Sequence, residues 1–216
     1  MKNKTSLTKD AILKDPYNYT LKEMKDCLGE EMATDFFESL YKNKPKIQNQ
    51  TVKIKEVFNG KDTLKYAFEL SDGYCIETVC IKRKTGITVC VSTMVGCPVG
   101  CIFCASGKNG FIRNLSSSEI VQQIVLLKEK VNRIVFMGMG EPLLNYGEVI
   151  KAIHILRDRD GLNFPTDGIT ISTVGPINQL KKLREEHLKI QLTLSLHATS
   201  QVKRDKVMPH MRGNSI

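Results

Sequence analysis

The sequence has no thiol beyond Cys104, no even complement of cysteines, no uninterrupted apolar run of membrane length, and no apolar stretch behind its N-terminal lysines. Each absence removes a class of protein. An odd count of seven cysteines, three of them crowded between Cys97 and Cys104, argues against a secreted disulfide framework and leaves metal or redox chemistry. Residues 85 to 107 carry no ionised group, but Pro98, several glycines and the clustered cysteines interrupt them, so they read as a loop region and not as a membrane span. MKNKTSLTKD lacks the apolar core of a secretory signal, which makes cytoplasm the expected compartment. No repeat or low-complexity tract marks a solenoid or a disordered chain.

What is present is a folded protein of 216 residues, 41% hydrophobic and 25% charged, with a formal net charge of +9 that suits a polyanionic partner such as RNA. Residues 1–48 read as a small helical module, with apolar positions at three-to-four spacing in TKDAILKD, LKEMKDCLGEE and ATDFFESLYKN. Residues 49–86 change to short β-branched runs separated by NGKD and SDG turns, which predicts a β meander. From residue 87 to 216 helix-length and strand-length segments alternate. Ser116-Ser-Ser-Glu119 offers a capping box to EIVQQIVLLKEK, and NRIVFMG, EVIKAIHILRD, GITISTVG, INQLKKLREEH and KIQLTLSLH follow. That order implies βαβ units and an α/β fold with a parallel sheet or barrel. In KIQLTLSLH, Ile190, Leu192, Leu194 and Leu196 alternate with Gln191, Thr193, Ser195 and His197, as expected of a strand with one covered face and one face lining a ligand-filled lumen, so an open barrel is predicted.

The chemistry centres on Cys97-Pro-Val-Gly-Cys101-Ile-Phe-Cys104, three thiols at C-x3-C-x2-C spacing after a strand. A 4Fe-4S cluster on three cysteinates keeps one iron without a protein ligand, where a small molecule can chelate. Zinc with a fourth ligand brought in by folding, such as His154, His187, His197 or His210, and simple buried cysteines are the alternatives.

This loop, with aromatic Phe103 before the last cysteine, resembles the signature of the radical S-adenosylmethionine (SAM) superfamily. The text CVSTMVGCPVGCIFCASGKNGFIRNLSSSEIVQQI, followed by FMGMGEPLLN, ISTVG and LSLHA, resembles the RlmN/Cfr family of RNA adenine methyltransferases over roughly residues 74 to 209. GEPLLN and SLHA look more like the branch acting at adenine carbon 2 than the one acting at carbon 8. The resemblance implies a partial (βα) barrel of the radical SAM type, incomplete here, preceded by the helical module and the meander. It implies that Cys97, Cys101 and Cys104 bind the cluster and that Gly140, Glu141, Ser172, Ser195, Leu196 and His197 contact SAM, with Leu196 acting through its backbone. It implies that Glu77 accepts a proton and that Cys90 resolves a protein–RNA adduct by forming a disulfide. Cys90 shares the polar face of ITVCVST with Thr88 and Ser92.

The implied partners are rRNA, in some members tRNA, and an electron-donor protein such as flavodoxin, with no membrane. Lys108, Arg113 and KRDK are candidate phosphate contacts, and Cys27, Cys75 and Cys80 read as structural. The family's methyl-carrying cysteine and a further cofactor-contacting asparagine would lie beyond Ile216. The chain is therefore expected to be an N-terminal portion that does not complete methyl transfer alone. A non-catalytic iron–sulfur or RNA-binding remnant, and a radical SAM enzyme with another substrate, are the alternative readings.

Overall fold

A computed structural model describes residues 7–42 and 50–211. The rest of the 1–48 helical stretch and the last five residues of the barrel segment lie outside the described residues. Three short helices come first, α1 (Lys9–Lys14), α2 (Leu21–Leu28) and α3 (Glu30–Lys42). Thr20 starts α2 with a full capping box, its hydroxyl accepting from the Glu23 amide while the Glu23 carboxylate accepts from the Thr20 amide. Ile12, Met24, Phe37 and Leu40 give these helices an apolar side that joins the main core.

Four antiparallel strands follow, β1 (Val52–Asn59), β2 (Thr63–Leu70), β3 (Cys75–Arg83) and β4 (Gly86–Cys90). Next come a small hairpin of β5 (Met94–Gly96) and β6 (Phe111–Asn114) with the four-residue α4 (Ala105–Lys108) between them, then α5 (Ser117–Val125) and β7 (Val131–Phe136). The chain continues through α6 (Tyr146–Arg157), β8 (Ile169–Thr173), α7 (Ile177–Glu185), β9 (Gln191–Leu194) and α8 (Gln201–Val207). One seven-stranded sheet runs β1-β2-β3-β4-β7-β8-β9, antiparallel up to β4 and parallel from β4 to β9. The parallel half with its intervening helices is the partial barrel. The meander strands continue the same sheet, because β4 pairs with β3 on one side and β7 on the other.

α5 departs from the expectation of an amphipathic surface helix. Its capping box forms as read, Ser116 with Glu119, but its polar side is buried as well as its apolar side. The N-terminal helices and the sheet enclose it, and every inward polar group meets a partner. Ser117 donates to Asn18, Ser118 to Asp15, and Gln122 to Thr51. The helix also stops at Val125, short of the predicted LLKEK turn. Leu127 turns inward there, and Glu129 leaves the helix axis to accept from the Tyr66 hydroxyl at 2.7 Å.

Gln123 is the tightest of these junctions. Its carbonyl oxygen accepts from the Thr78 hydroxyl at 2.7 Å and from the Ser92 amide at 2.8 Å, and its amide donates to the Ser92 and Glu119 carbonyls at 2.9 and 3.2 Å. All four hydrogen-bonding positions are used on a fully buried side chain. Gln123→Ala strands the Ser92 backbone groups in the core, and urea unfolding is expected to record a loss of about 2–4 kcal/mol.

The predicted covered face of the last strand does not form among the described residues. β9 is exposed along its whole length, with Leu192 and Leu194 51% and 49% accessible. Among the described residues it pairs only with β8, and the preceding helix α7 has no buried residue. The alternation is real, but it records faces and not what lies against them.

Candidate functional site

The three thiols sit in a loop held open by the β5–β6 hairpin. Met94 pairs with Asn114 and Val95 with Arg113, and the Cys97 amide closes the base by donating to the Gly110 carbonyl at 3.1 Å. Arg113 stiffens the hairpin further. Its guanidinium grips the Glu119 carboxylate with two nitrogens, at 2.8 and 2.9 Å, and reaches Asp72 at 2.6 Å.

The loop opens into a cleft of about 300 Å³ at the carboxyl ends of the parallel strands. Cys97, Cys101 and Cys104 line it together with Phe103, Gly140, Glu141, Ser172, Ser195 and His197, residues that lie up to a hundred positions apart in the chain. The fold therefore gathers the three thiols and every residue expected to contact the cofactor except Leu196. Phe136, Met137, Gly138, Val99 and Val174 complete the wall.

Burial pushes the Cys97 thiol up, with Cys104 and Glu141 adding repulsion, and pushes Cys101 up to about 11, with Cys97 and Cys104 adding to it. Thiols in such a place ionise only against a strong positive charge. Among the described residues no three His, Cys, Asp or Glu side chains converge tightly enough to enclose a single metal ion. The thiols share one cleft without closing on a point. Three thiols in one cleft can hold a 4Fe-4S cluster through three of its irons, or a zinc ion whose shell is completed by a fourth protein ligand or by water.

Glu141 has a role that spacing did not reveal. Its carboxylate is 3% exposed. One oxygen accepts from the Thr173 hydroxyl at 2.6 Å and the Leu143 amide at 3.0 Å, and the other accepts from the Val174 amide at 2.9 Å. The side chain thus fastens the loop after β7 to the end of β8, with roughly one of its four acceptor positions unused by these three bonds. Burial still outweighs these bonds and holds its carboxyl above the usual range. Gly140 has φ +104, and a methyl group there would meet Thr93 and Met94 at 2.7 Å, so only glycine lets this loop lie against β5.

Ser172 and Ser195 bring their hydroxyls to 3.0 Å across adjacent parallel strands. His197 stands at φ +59 because the Ala198 amide turns back to the Leu196 carbonyl at 2.7 Å, a γ-turn centred on the histidine. Leu196 contributes only backbone to this turn and its side chain is not in the cleft wall. The His197 ring packs 4.8 Å from that of Phe103, and burial, aided by Arg204, keeps it below its ordinary pKa.

Glu77 and Cys90 do not line the cleft. Glu77 lies exposed in mid-β3, paired with Lys65 at 2.8 Å. Cys90 is half-buried at the end of β4, its thiol raised by burial against a backbone hydrogen bond at Met137. Two candidate phosphate contacts are otherwise engaged: Arg113 as above, and Arg204, which is 2% exposed and donates to the Val174 carbonyl. Thr173 was missed, although a polar residue on the inward face of ITIST, in line with Ile169 and Ile171, already demanded a buried partner.

A sequence profile of the Radical SAM superfamily matches residues 91–215. A "Probable RNA methyltransferase" of Rhodopseudomonas palustris (strain BisB5) is 60% identical over 153 residues, which cover 71% of this chain and 43% of that protein. A "Probable dual-specificity RNA methyltransferase RlmN" of Pseudothermotoga lettingae is 47% identical over 174 residues, or 79% and 51%. The chain thus spans about half the length of these curated relatives. The crystal structure of a radical SAM methyltransferase from Sphaerobacter thermophilus superposes with a TM-score of 0.84 at 30% identity, covering 89% of this chain and 66% of that one. The family match extends over more than half of the chain and includes the whole thiol loop and most of the cleft wall, so the chain belongs to the radical SAM superfamily.

Proposed function

We propose that the cleft holds a 4Fe-4S cluster on Cys97, Cys101 and Cys104 with SAM beside it, and that the protein of which these residues form part methylates adenine in RNA, at carbon 2. One observation carries this reading: a single cleft joins the three thiols to Gly140, Glu141, Ser172, Ser195 and His197. A cluster held on Cys97, Cys101 and Cys104 would supply one electron to SAM, whose reductive cleavage gives methionine and a 5′-deoxyadenosyl radical.

The chain's own residues do the positioning. The Glu141 carboxylate and the backbone at Gly140 receive the methionine ammonium, with the fastened loop keeping that acceptor in place. The paired Ser172 and Ser195 hydroxyls and the His197 ring offer hydrogen bonds to the nucleoside, and Phe103 gives an apolar surface next to the last thiol. Val99, Phe136 and Val174 keep water out of the deep wall.

Glu77 and Cys90 act from the neighbouring strands as proton acceptor and adduct-releasing thiol. Cys90 pairs with Val79, two residues along from Glu77. The relatives' names support RNA as substrate. The setting is the cytoplasm, with a flavodoxin-like electron donor. Among the described residues no helix is long and apolar enough to cross a membrane.

Anaerobic reconstitution with iron and sulfide tests the reading. About four irons per chain and reductant-dependent release of 5′-deoxyadenosine are expected. One zinc per chain with no cleavage of SAM would refute it.

A further inference from the structure

α8 and the 3-10 turn that follows it, Pro209–Met211, contribute nothing to the cleft wall, yet they hold the thiol loop at several points. The Ile102 amide donates to the Val207 carbonyl at 3.0 Å. Met208 and Met211 are buried in a small apolar cluster with Cys97, Val99 and Val174. His210 reaches the loop directly, its Nδ1 lying 3.0 Å from the Pro98 carbonyl oxygen. A carbonyl only accepts, so Nδ1 carries the hydrogen.

The same ring covers Gly100, which has φ +64 and whose missing methyl would lie 2.7 Å from Nδ1. Pro98 and Gly100 are two of the three residues between the first two thiols. Among the described residues the loop's own backbone bonds are Cys97 to Gly110 at its base and Cys104 to Cys101 within it, with the Val99 and Gly100 backbone turned to the Cys97 thiol. Its shape therefore depends on what grips it from outside.

We propose that His210 is a positioning residue for the cluster: its Nδ1–H holds the Pro98 carbonyl and its ring seats Gly100, so that the loop takes the cluster-binding shape before the cluster arrives. A loop ordered in advance loses less freedom on binding, and groups outside the ligand set govern how long a metal centre is retained. The proposal rests on the reading that the three thiols take a 4Fe-4S cluster.

His210→Ala and His210→Asn, made in the whole chain and reconstituted anaerobically beside the parent, provide the test. Both change an exposed side chain, so the core is untouched. In the alanine variant the visible absorption of the cluster is expected to bleach about tenfold faster under an iron chelator, and the EPR lines of the reduced cluster broaden. Asparagine, which presents a side-chain N–H to the same carbonyl, restores most of the retention.

In the metal-free proteins the amides of residues 99–104 exchange faster in the alanine variant, while the thermal midpoint stays put. Parent-like bleaching and exchange in the alanine variant would overturn the proposal, as would an asparagine variant no better than alanine. A parent that binds no iron would instead overturn the cluster reading. The metal-free exchange would then still decide whether His210 holds the loop.

Discussion

A chain carrying Cys97→Ala, Cys101→Ala and Cys104→Ala together is expected to hold no iron after anaerobic reconstitution, against about four per chain in the parent, and to release no 5′-deoxyadenosine. The effect is all or none because these three are the thiols of the cleft wall, and an iron–sulfur cluster is held by cysteine thiolates. Folding is not the cause of the loss. Only Cys97 of the three is buried, and it belongs to the small apolar cluster with Val99, Val174, Met208 and Met211, separate from the main core. The far-ultraviolet circular dichroism and the urea midpoint of the metal-free triple variant should therefore stay close to those of the metal-free parent. Iron bound at parental levels by the triple variant would mean that the ligands lie elsewhere.

The second large effect falls on Glu141. Glu141→Ala removes the acceptor from the Thr173 hydroxyl and from the Leu143 and Val174 amides at once, at a residue only 3% exposed. Unmade bonds of this kind cost more than made ones contribute, and the loss is expected to be about 3–5 kcal/mol. Thermal unfolding should report it as a midpoint lowered by roughly 10 °C for a chain of this size.

The pH dependence has a definite sign. Burial raises the folded pKa of Glu141 above the unfolded value near 4.5, so the folded state prefers the protonated form. The stability this preference contributes is fully present below the unfolded pKa and is lost as pH rises through the folded one. Glu141→Gln cannot ionise and lacks that slope. The unfolding free energy of the parent minus that of the glutamine variant is therefore expected to fall between pH 4 and the raised folded pKa. A difference that grows with pH over this range would show that the three hydrogen bonds outweigh burial.

Much of this architecture was legible in local patterns. The Ser116–Glu119 box fixes the start of α5, and the alternation in ITIST puts Thr170 and Ser172 on one face, opposite the buried Ile169, Ile171 and Thr173. Thiol spacing and the flanking motifs named the cleft residues, because loops that carry chemistry keep their chemistry in short stretches of chain. Long-range pairing was not legible. Nothing near Glu141 announces Thr173, nothing in the basic segment KRDK shows that Arg204 turns inward to Val174, and no pattern places His197 in a γ-turn. Nor does a period of two tell a strand whether anything will cover it, which is why the leucines of β9 were expected to be sheltered and are not.

The shared strand β4 has an evolutionary consequence. Because it is zipped to β3 on one flank and β7 on the other, the front strands are no detachable cassette. A crossover between relatives placed at the Arg83–Gly86 turn would have to rejoin a hairpin from two ancestries and rebuild the seam beneath the thiol loop. Breakpoints upstream of β1 spare that seam but part the buried Ser117 and Ser118 from Asn18 and Asp15, so the helical front end has a seam of its own to rebuild.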